Sequence, residues 1–138
     1  MFHKILVAVD ESTQARKAVK VAADLARQYH SSLCLLHALP HVADYLGSPI
    51  YEELIESNKM KAQDMLESTS TRIGTDLPVE VQLIEGPPAS AILRVAETEG
   101  FDLIIMGSRG QGPVVSLLTG SVSRTVSQKA VCPVMIVH

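Results

Sequence analysis

Three things are scarce in this sequence: long apolar runs, blocks of basic residues and clustered cysteines. Its apolar stretches fall far short of the ~20 residues that span a bilayer, so no membrane insertion is expected. The net charge of −3 comes without any Lys/Arg block, which argues against nucleic acid or an anionic membrane as a partner. Cys34 and Cys132 stand singly within apolar stretches. This usage fits buried thiols in a reducing cytoplasm better than a disulfide, a metal site or a catalytic pair.

The amino terminus also lacks the small-residue cleavage site of a secretory signal. Residues 1–4 lead directly into a strand-like run, so no signal peptide is predicted and a cytoplasmic protein is expected.

Short apolar runs alternate with helical patterns along the sequence. Hydrophobic residues make up 46% of the 138 residues, enough for the core of one compact domain over residues 1–138. Four short apolar runs are apolar on both faces, which is typical of parallel strands covered by helices, and a fifth carries Glu80 and Gln82 like an edge strand. The runs are Ile5–Val9, Leu33–Leu39, Val79–Ile84, Leu103–Met106 and Val134–Val137. We therefore predict an α/β fold, a single doubly wound five-stranded parallel sheet with four helices.

The four helices have recognisable periodicities and ends. The first has Ser12 as a candidate N-cap, and Pro87 and Pro88 open the third. The fourth is predicted to start near Thr119–Ser121. Six residues are expected to face the core from the first helix: Ala15, Ala18, Val19, Ala22, Ala23 and Ala26. Six more mark the second, which closes near Gly74: Tyr51, Leu54, Ile55, Ala62, Met65 and Leu66.

Glycines and hydroxyls gather in the stretch GSRGQGPVVSLLTGSVS, residues 107–123, after the fourth apolar run. In an open doubly wound sheet, ligands bind beyond the carboxyl ends of the strands, where strand order reverses. Glycines at 107, 110 and 112 are expected to allow positive φ and to remove side chains that would block a ligand. Main-chain N–H groups and a helix amino terminus at Gly120–Ser121 would then attract phosphate. Further candidate donors are Arg109, Ser121 and Ser123.

The alternative for this stretch is a glycine-rich turn followed by an ordinary serine cap, and local composition leaves both interpretations equally open. Two known phosphate motifs are excluded. A Walker A loop needs a lysine, which residues 107–123 lack, and a dinucleotide fingerprint needs glycines after the first strand, where Asp10–Gln14 stands. Asp10 is a candidate to bind a ribose hydroxyl or Mg²⁺, with capping of the first helix as the alternative.

Several of these segments together resemble the universal stress protein family over essentially the whole chain. They are Ile5–Asp10, Leu36-His37-Ala38, Cys132-Pro133-Val134 and, most specifically, the pattern Gly-x2-Gly-x9-Gly-Ser formed by Gly107, Gly110, Gly120 and Ser121. The resemblance implies the ATP-binding branch of the family, a Rossmann-like fold of the adenine nucleotide alpha hydrolase type, strand order 3-2-1-4-5 and a dimer. It also implies an adenine slot and ribose contacts from Ala8, Val9, Asp10 and Ala38. The ribose and phosphates would be surrounded by Met106, Gly107, Arg109, Gly110, Gly120, Ser121, Val122 and Ser123.

The resulting hypothesis is a cytoplasmic homodimer that binds ATP or another adenine nucleotide, with Mg²⁺, and regulates a protein partner in a stress response. The last strand, Val134–Val137, is expected to pair with a second copy, because an exposed strand edge is a liability. The loop Pro40–Pro49 is a candidate mobile element. One alternative is a slow Mg²⁺-dependent ATPase or nucleotide hydrolase that uses Asp10, and another is a protein-interaction module without nucleotide. His37 and His41 are expected in packing or solvent rather than in a zinc site.

Overall fold

The computed structural model describes residues 1–39, 49–108 and 121–138. Strands and helices alternate along these ranges. The order is β1 (Lys4–Ala8), α1 (Thr13–Tyr29), β2 (Ser32–Leu39), α2 (Ile50–Ile73), β3 (Val79–Glu85), α3 (Pro88–Thr98), β4 (Leu103–Gly107), α4 (Ser121–Lys129) and β5 (Val134–Val137). No helix in these ranges combines the length and apolar character needed to cross a bilayer.

The five strands form one parallel sheet in the order β3-β2-β1-β4-β5. At the centre, Ile5 of β1 stands beside Leu33 of β2 and Leu103 of β4. Successive strands extend the sheet in one direction from β1 to β3 and in the other from β4 to β5. The predicted fold and strand order are confirmed, and the order reverses between β1 and β4.

Side chains of each central strand alternate between two separate cores, as expected for a sheet covered on both faces. In β1, Ile5 and Val7 pack with residues of α1 and α2, whereas Leu6 packs with residues of α3 and α4. The sheet therefore has an α1–α2 face and an α3–α4 face. Which face a residue belongs to follows from its parity along the strand.

The predicted inner stripe of α1 is confirmed at all six positions, which are buried. Small alanines dominate this stripe, so α1 lies close to the sheet. Ser12 is its N-cap, because its Oγ accepts the Ala15 N–H at 3.1 Å. The helix ends at His30, whose φ of 55° is left-handed.

The prediction for α2 is only partly right. Ala62 and Leu66 are buried, but Leu54 is 39% exposed, and Tyr51 and Ile55 are only half-buried. The reason is length. With 24 residues, α2 is about 36 Å long, whereas a strand of eight residues such as β2 spans only about 26 Å. The buried residues of α2 all lie in its second half, so its first half contributes little to the core.

Candidate functional site

The candidate site lies at the carboxyl-terminal edge of the sheet, where β1 and β4 end side by side. Val9 and Asp10 follow β1, and Gly107 and Ser108 end β4. The N–H of Ser108 continues the sheet pattern by donating to the Val137 carbonyl oxygen at 2.8 Å. This edge is the point of strand-order reversal, the usual ligand position in doubly wound sheets.

Four of the residues predicted to surround the adenine and the ribose lie on the α3–α4 face at this edge. Ala8 and Val122 are half-buried against the core of that face, and Met106 is a buried member of it. Ala38 is half-buried and has the same strand parity as Leu36, which packs in that core. The structure therefore brings these four residues to one face.

Val9 lies on the opposite face. Its side chain is buried in the α1–α2 core, and its N–H donates to the Leu36 carbonyl oxygen at 2.8 Å. Its own carbonyl oxygen accepts a hydrogen bond from His37 Nδ1 at 2.6 Å. Both main-chain polar groups of Val9 thus already have partners within the protein.

Asp10 organises the turn from β1 into α1. Its Oδ1 accepts the Ser12 N–H at 2.7 Å, and Ser12 in turn caps α1. This local role corresponds to the capping alternative for Asp10. Within the described ranges no group of three or more His, Cys, Asp or Glu residues is arranged to hold a metal. Mg²⁺ in proteins commonly takes one or two carboxylates together with phosphate oxygens, so Asp10 has the chemistry of a Mg²⁺ ligand, and that role stays a prediction.

Gly107 has a packing role that its sequence motif did not indicate. Its φ is not in the positive range, so the expectation of a left-handed turn at this position is wrong. The residue is glycine because α1 comes very close. A Cβ at position 107 would lie 2.7 Å from the Gln14 Cβ and 2.9 Å from the Gln14 carbonyl carbon. Gly107 therefore lets the first turn of α1 rest against the end of β4.

Ser123 ties α4 to β4. Its Oγ donates to the Ser108 carbonyl oxygen at 3.2 Å, and both serines are buried. Ser121, the first residue of α4, is exposed. The start of α4 is thus fixed beside the end of β4, with Ser121 on its outer surface. Of the remaining predicted site residues, Arg109, Gly110 and Gly120 lie outside the described residues, as do residues 40–48 of the predicted mobile loop.

His37 is the residue at this edge that sequence reasoning missed. It was expected in packing or solvent, but its half-buried ring holds the Val9 carbonyl oxygen next to Asp10. A carbonyl oxygen can only accept, so Nδ1 carries the proton and, in the neutral ring, Nε2 is an acceptor. The available signal was the position of His37 at the polar end of an otherwise apolar strand.

Neither cysteine is suited to be a nucleophile. Burial, reinforced by Glu80 and Glu99, raises the pKa of the Cys34 thiol to about 12. Burial also raises the pKa of Cys132, which is half-buried. Thiolates are the reactive form, so a raised pKa makes each thiol less reactive near neutral pH than an ordinary cysteine.

The fold and this edge define a class, the open doubly wound α/β domain with a ligand edge at the switch point between β1 and β4. Residues 1–138 match the model of the universal stress protein family. The chain belongs to that family. It is 39% identical over 138 residues to the "universal stress protein in QAH/OAS sulfhydrylase 3′ region" of Thermus aquaticus, with 100% of both chains covered. Universal stress protein YxiE of Bacillus subtilis is 32% identical over 149 residues, again with 100% of both covered.

Solved structures agree with this assignment. Hypothetical protein MJ0577 has a TM-score of 0.89 at 28% identity, covering 99% of this chain and 96% of that one. A universal stress protein of Archaeoglobus fulgidus in complex with dAMP has a TM-score of 0.73 at 23% identity, covering 99% and 98%. An Arabidopsis thaliana family member with AMP bound has a TM-score of 0.72 at 24% identity, covering 98% and 90%. The last two likenesses establish the fold.

Proposed function

We propose that this chain binds an adenine nucleotide at the edge between β1 and β4 and acts as a cytoplasmic, homodimeric regulator in a stress response. The observation that carries the proposal is the buried hydrogen bond from Ser123 to Ser108. It holds the amino terminus of α4 at the end of β4, beside β1. A helix amino terminus offers unpaired N–H groups and partial positive charge, which favour phosphate.

The phosphate part of the proposed site combines this helix end with the spacing Gly107, Gly110, Gly120 and Ser121 in the sequence. Ser121 supports it, because its exposed hydroxyl lies at the first turn of α4. Arg109 would add a charged donor. Gly107, which also allows the close approach of α1, belongs to this proposed phosphate site together with the residues after it.

The base would enter from the α3–α4 face, where Ala8, Ala38 and Met106 come together. Alanine side chains leave space for a planar ring, and methionine adapts to its surface. The fold accommodates such ligands in other proteins, since the Archaeoglobus fulgidus and Arabidopsis thaliana structures are complexes with dAMP and AMP. We propose ATP or a related adenine nucleotide as the ligand of this chain.

Mg²⁺ is part of the proposal, with Asp10 as its one candidate protein ligand. When bound, the ion would neutralise phosphate charge. Asp10 is held in place by the Ser12 N–H, which orients its carboxylate at the end of β1. We propose nucleotide binding that changes the surface offered to a protein partner, rather than efficient hydrolysis.

The proposed dimer forms along β5. This strand is paired on one side with β4, and its four residues are all half-buried. Backbone groups on the outer side of an edge strand are a template for another strand. Pairing of two copies of Val134–Val137 around a two-fold axis would cover this edge. Sedimentation at micromolar concentration tests it, and a monomer would exclude the dimer.

Isothermal titration with ATP and AMP tests the nucleotide site. Gly110→Val is expected to weaken ATP binding at least tenfold, because a branched side chain would block the cradle. Arg109→Gln and Ser121→Ala should each weaken it severalfold. Arg124→Gln and Ser127→Ala are matched controls on the exposed side of α4 and should leave affinity within twofold. Absence of binding at millimolar ATP and AMP, or unchanged affinity in Gly110→Val, would overturn the proposed site.

Ligand release from freshly purified protein provides a second test. Denaturation and chromatography should yield an adenine nucleotide if the site is occupied in the cell. ADP production by purified protein is expected to equal that of a mock preparation. Turnover that disappears in Asp10→Ala while binding persists would instead identify an enzyme.

A further inference from the structure

A cleft runs from the end of β1 between α1 and α2, on the α1–α2 face of the sheet. Its volume is about 880 Å³. Pockets that hold small molecules are typically roughly 300–1,000 Å³, so this volume suits a small organic ligand rather than a protein segment. The cleft shares only Val9 and Asp10 with the predicted nucleotide site.

The two walls of the cleft carry matched positive charge. Arg16 and Lys20 project from α1, and Lys61 and Arg72 from α2. These four are a third of the chain's 12 basic residues, gathered in one cleft of a protein whose net charge is −3. They outnumber the three carboxylates there, those of Asp10, Glu11 and Asp64. The lining therefore has an excess of one positive charge, although the chain as a whole is negative.

The ion pairs of the described ranges do not use these cations. Carboxylate contacts within 4.0 Å in those ranges are made by Arg27, not by Arg16, Lys20 or Lys61. Arg72 donates from Nε to the Ser68 carbonyl oxygen at 3.4 Å, a contact within its own helix. Asp10, at one end of the cleft, is occupied with the Ser12 N–H. The four basic residues of the cleft are thus outside the ion pairs formed within residues 1–39, 49–108 and 121–138.

The floor of the cleft is apolar. Val9 and Val19 are only 5% and 8% exposed, and the half-buried Met65 packs beside them against the same core. An apolar floor between cationic walls fits a ligand that has both an apolar group and an anionic group. Arg16 and Lys20 lie one turn apart on α1, and with Lys61 of α2 they suit a phosphate, which carries more than one negative charge and accepts paired N–H donors.

We propose that the cleft between α1 and α2 is a second binding site, for a small organic phosphate that carries an apolar or aromatic group. The apolar group rests on Val19 and Met65, and the phosphate lies between the basic residues of the two helices. This site is separate from the proposed nucleotide site and does not depend on it.

Phenyl phosphate is the probe for this site, and amide NMR of uniformly labelled protein is the measurement. Titration is expected to shift the amides of residues 16–20 and 61–73. The variant Arg16→Gln/Lys61→Gln removes one cation from each wall and should weaken binding at least fivefold. The control Lys17→Gln/Lys59→Gln removes the same charge from exposed residues of the same helices that do not line the cleft, and should change affinity less than twofold.

Inorganic phosphate tests the apolar floor, and it should bind several times more weakly than phenyl phosphate. Saturation with ATP tests separateness, since the phenyl phosphate shifts at residues 16–20 and 61–73 should persist. Four results would each overturn the proposal. They are the absence of these shifts at 10 mM phenyl phosphate, equal losses of affinity in the two double variants, equal affinity for phenyl phosphate and inorganic phosphate, and loss of the shifts on adding ATP. If the protein binds phenyl phosphate here but does not bind ATP, the proposal of this site stands and only the proposed nucleotide site is excluded.

Discussion

The ring of His37 donates a hydrogen bond from Nδ1 to the main-chain carbonyl oxygen of Val9, across 2.6 Å from one strand to its neighbour. The contact lies one residue before Asp10 and one before Ala38, at the edge where β1 and β2 end. It fixes the path of the chain as it leaves the sheet, and it fixes which ring nitrogen carries the proton.

Replacing His37 tests how much its hydrogen bond to Val9 contributes to stability. His37→Leu leaves the Val9 carbonyl oxygen without its donor and is expected to lower the free energy of unfolding by about 1–3 kcal/mol. His37→Asn keeps an amide donor on a short side chain and should lose less than half as much. Urea denaturation of the three proteins measures the difference. Equal losses in the two variants would mean that the hydrogen bond is not what stabilises this edge. Nitrogen-15 NMR of the native ring should show the proton on Nδ1.

Gly107→Ala should destabilise the protein through a steric clash. The added Cβ would lie 2.7 Å from the Gln14 Cβ, so either α1 or β4 must move, at an expected cost of about 1–3 kcal/mol in unfolding free energy. Gln14→Gly removes the nearest atom. A double-mutant cycle should therefore show that Gly107→Ala costs less in the Gln14→Gly background. Because the Gln14 carbonyl carbon at 2.9 Å remains in Gln14→Gly, only part of the loss should be relieved, and unchanged stability in Gly107→Ala itself would contradict the close contact.

Ser123→Ala should weaken the attachment of α4. It removes the donor to the Ser108 carbonyl oxygen and is expected to cost about 1–2 kcal/mol. Ser127→Ala is the matched control, because Ser127 is exposed on the same helix and its Oγ contacts only the local Arg124 carbonyl oxygen at 2.9 Å. Thermal unfolding compares them, and equal midpoints for the two variants would exclude a tethering role for Ser123.

The link between Arg27 and Asp76 predicts a dependence of stability on pH. Arg27 Nε lies 2.7 Å from Asp76 Oδ2, and this hydrogen bond lowers the pKa of Asp76 below its ordinary value of 3.8. A carboxyl group whose pKa is lowered in the folded protein contributes its full stabilisation at pH values above the ordinary pKa. This contribution is lost as the pH falls through the lowered pKa. Asp76→Asn should therefore flatten the acid limb of the stability curve. Asp24→Asn, at the longer 3.7 Å contact, should change it less. Identical acid limbs in wild type and Asp76→Asn would refute the link.

The two thiols should differ in reactivity. Burial raises the pKa of Cys34 to about 12, and its side chain is nearly inaccessible, so iodoacetamide at pH 8 should label it only after unfolding. Cys132 is less buried and should react measurably faster. Peptide mass spectrometry over a time course distinguishes them. Labelling of Cys34 at the rate of Cys132 in native protein would contradict the packed interior.

Sequence pattern predicted the fold well where burial alone decides the outcome. Only one arrangement buries both the alanine stripe of α1 and the strands that are apolar on both faces. The strand order, by contrast, was predicted from the family resemblance. The pattern failed for Leu54, because a periodicity shows which side of a helix is apolar but not whether the sheet extends far enough to cover it.

The candidate site was predicted less completely for a similar reason. Small residues at strand ends, such as Ala8 and Ala38, could be placed at the edge from their positions alone. The contact of Gly107 with Gln14 joins residues 93 positions apart in the sequence, and the hydrogen bond of His37 to Val9 crosses between strands. Neither has a local signature, since each depends on how closely separate elements approach in the folded chain.

The half of α2 that passes beyond the strands has a consequence for how the molecule opens. Its main-chain hydrogen bonds are supported by few buried side chains, because the buried residues of this helix begin only at Ala62. Amide protons in residues 50–60 should therefore exchange with solvent through local fraying, at a free energy well below that of global unfolding. The same helix is thus expected to contain two regions of different exchange protection, with the boundary near Ala62, where its buried residues begin.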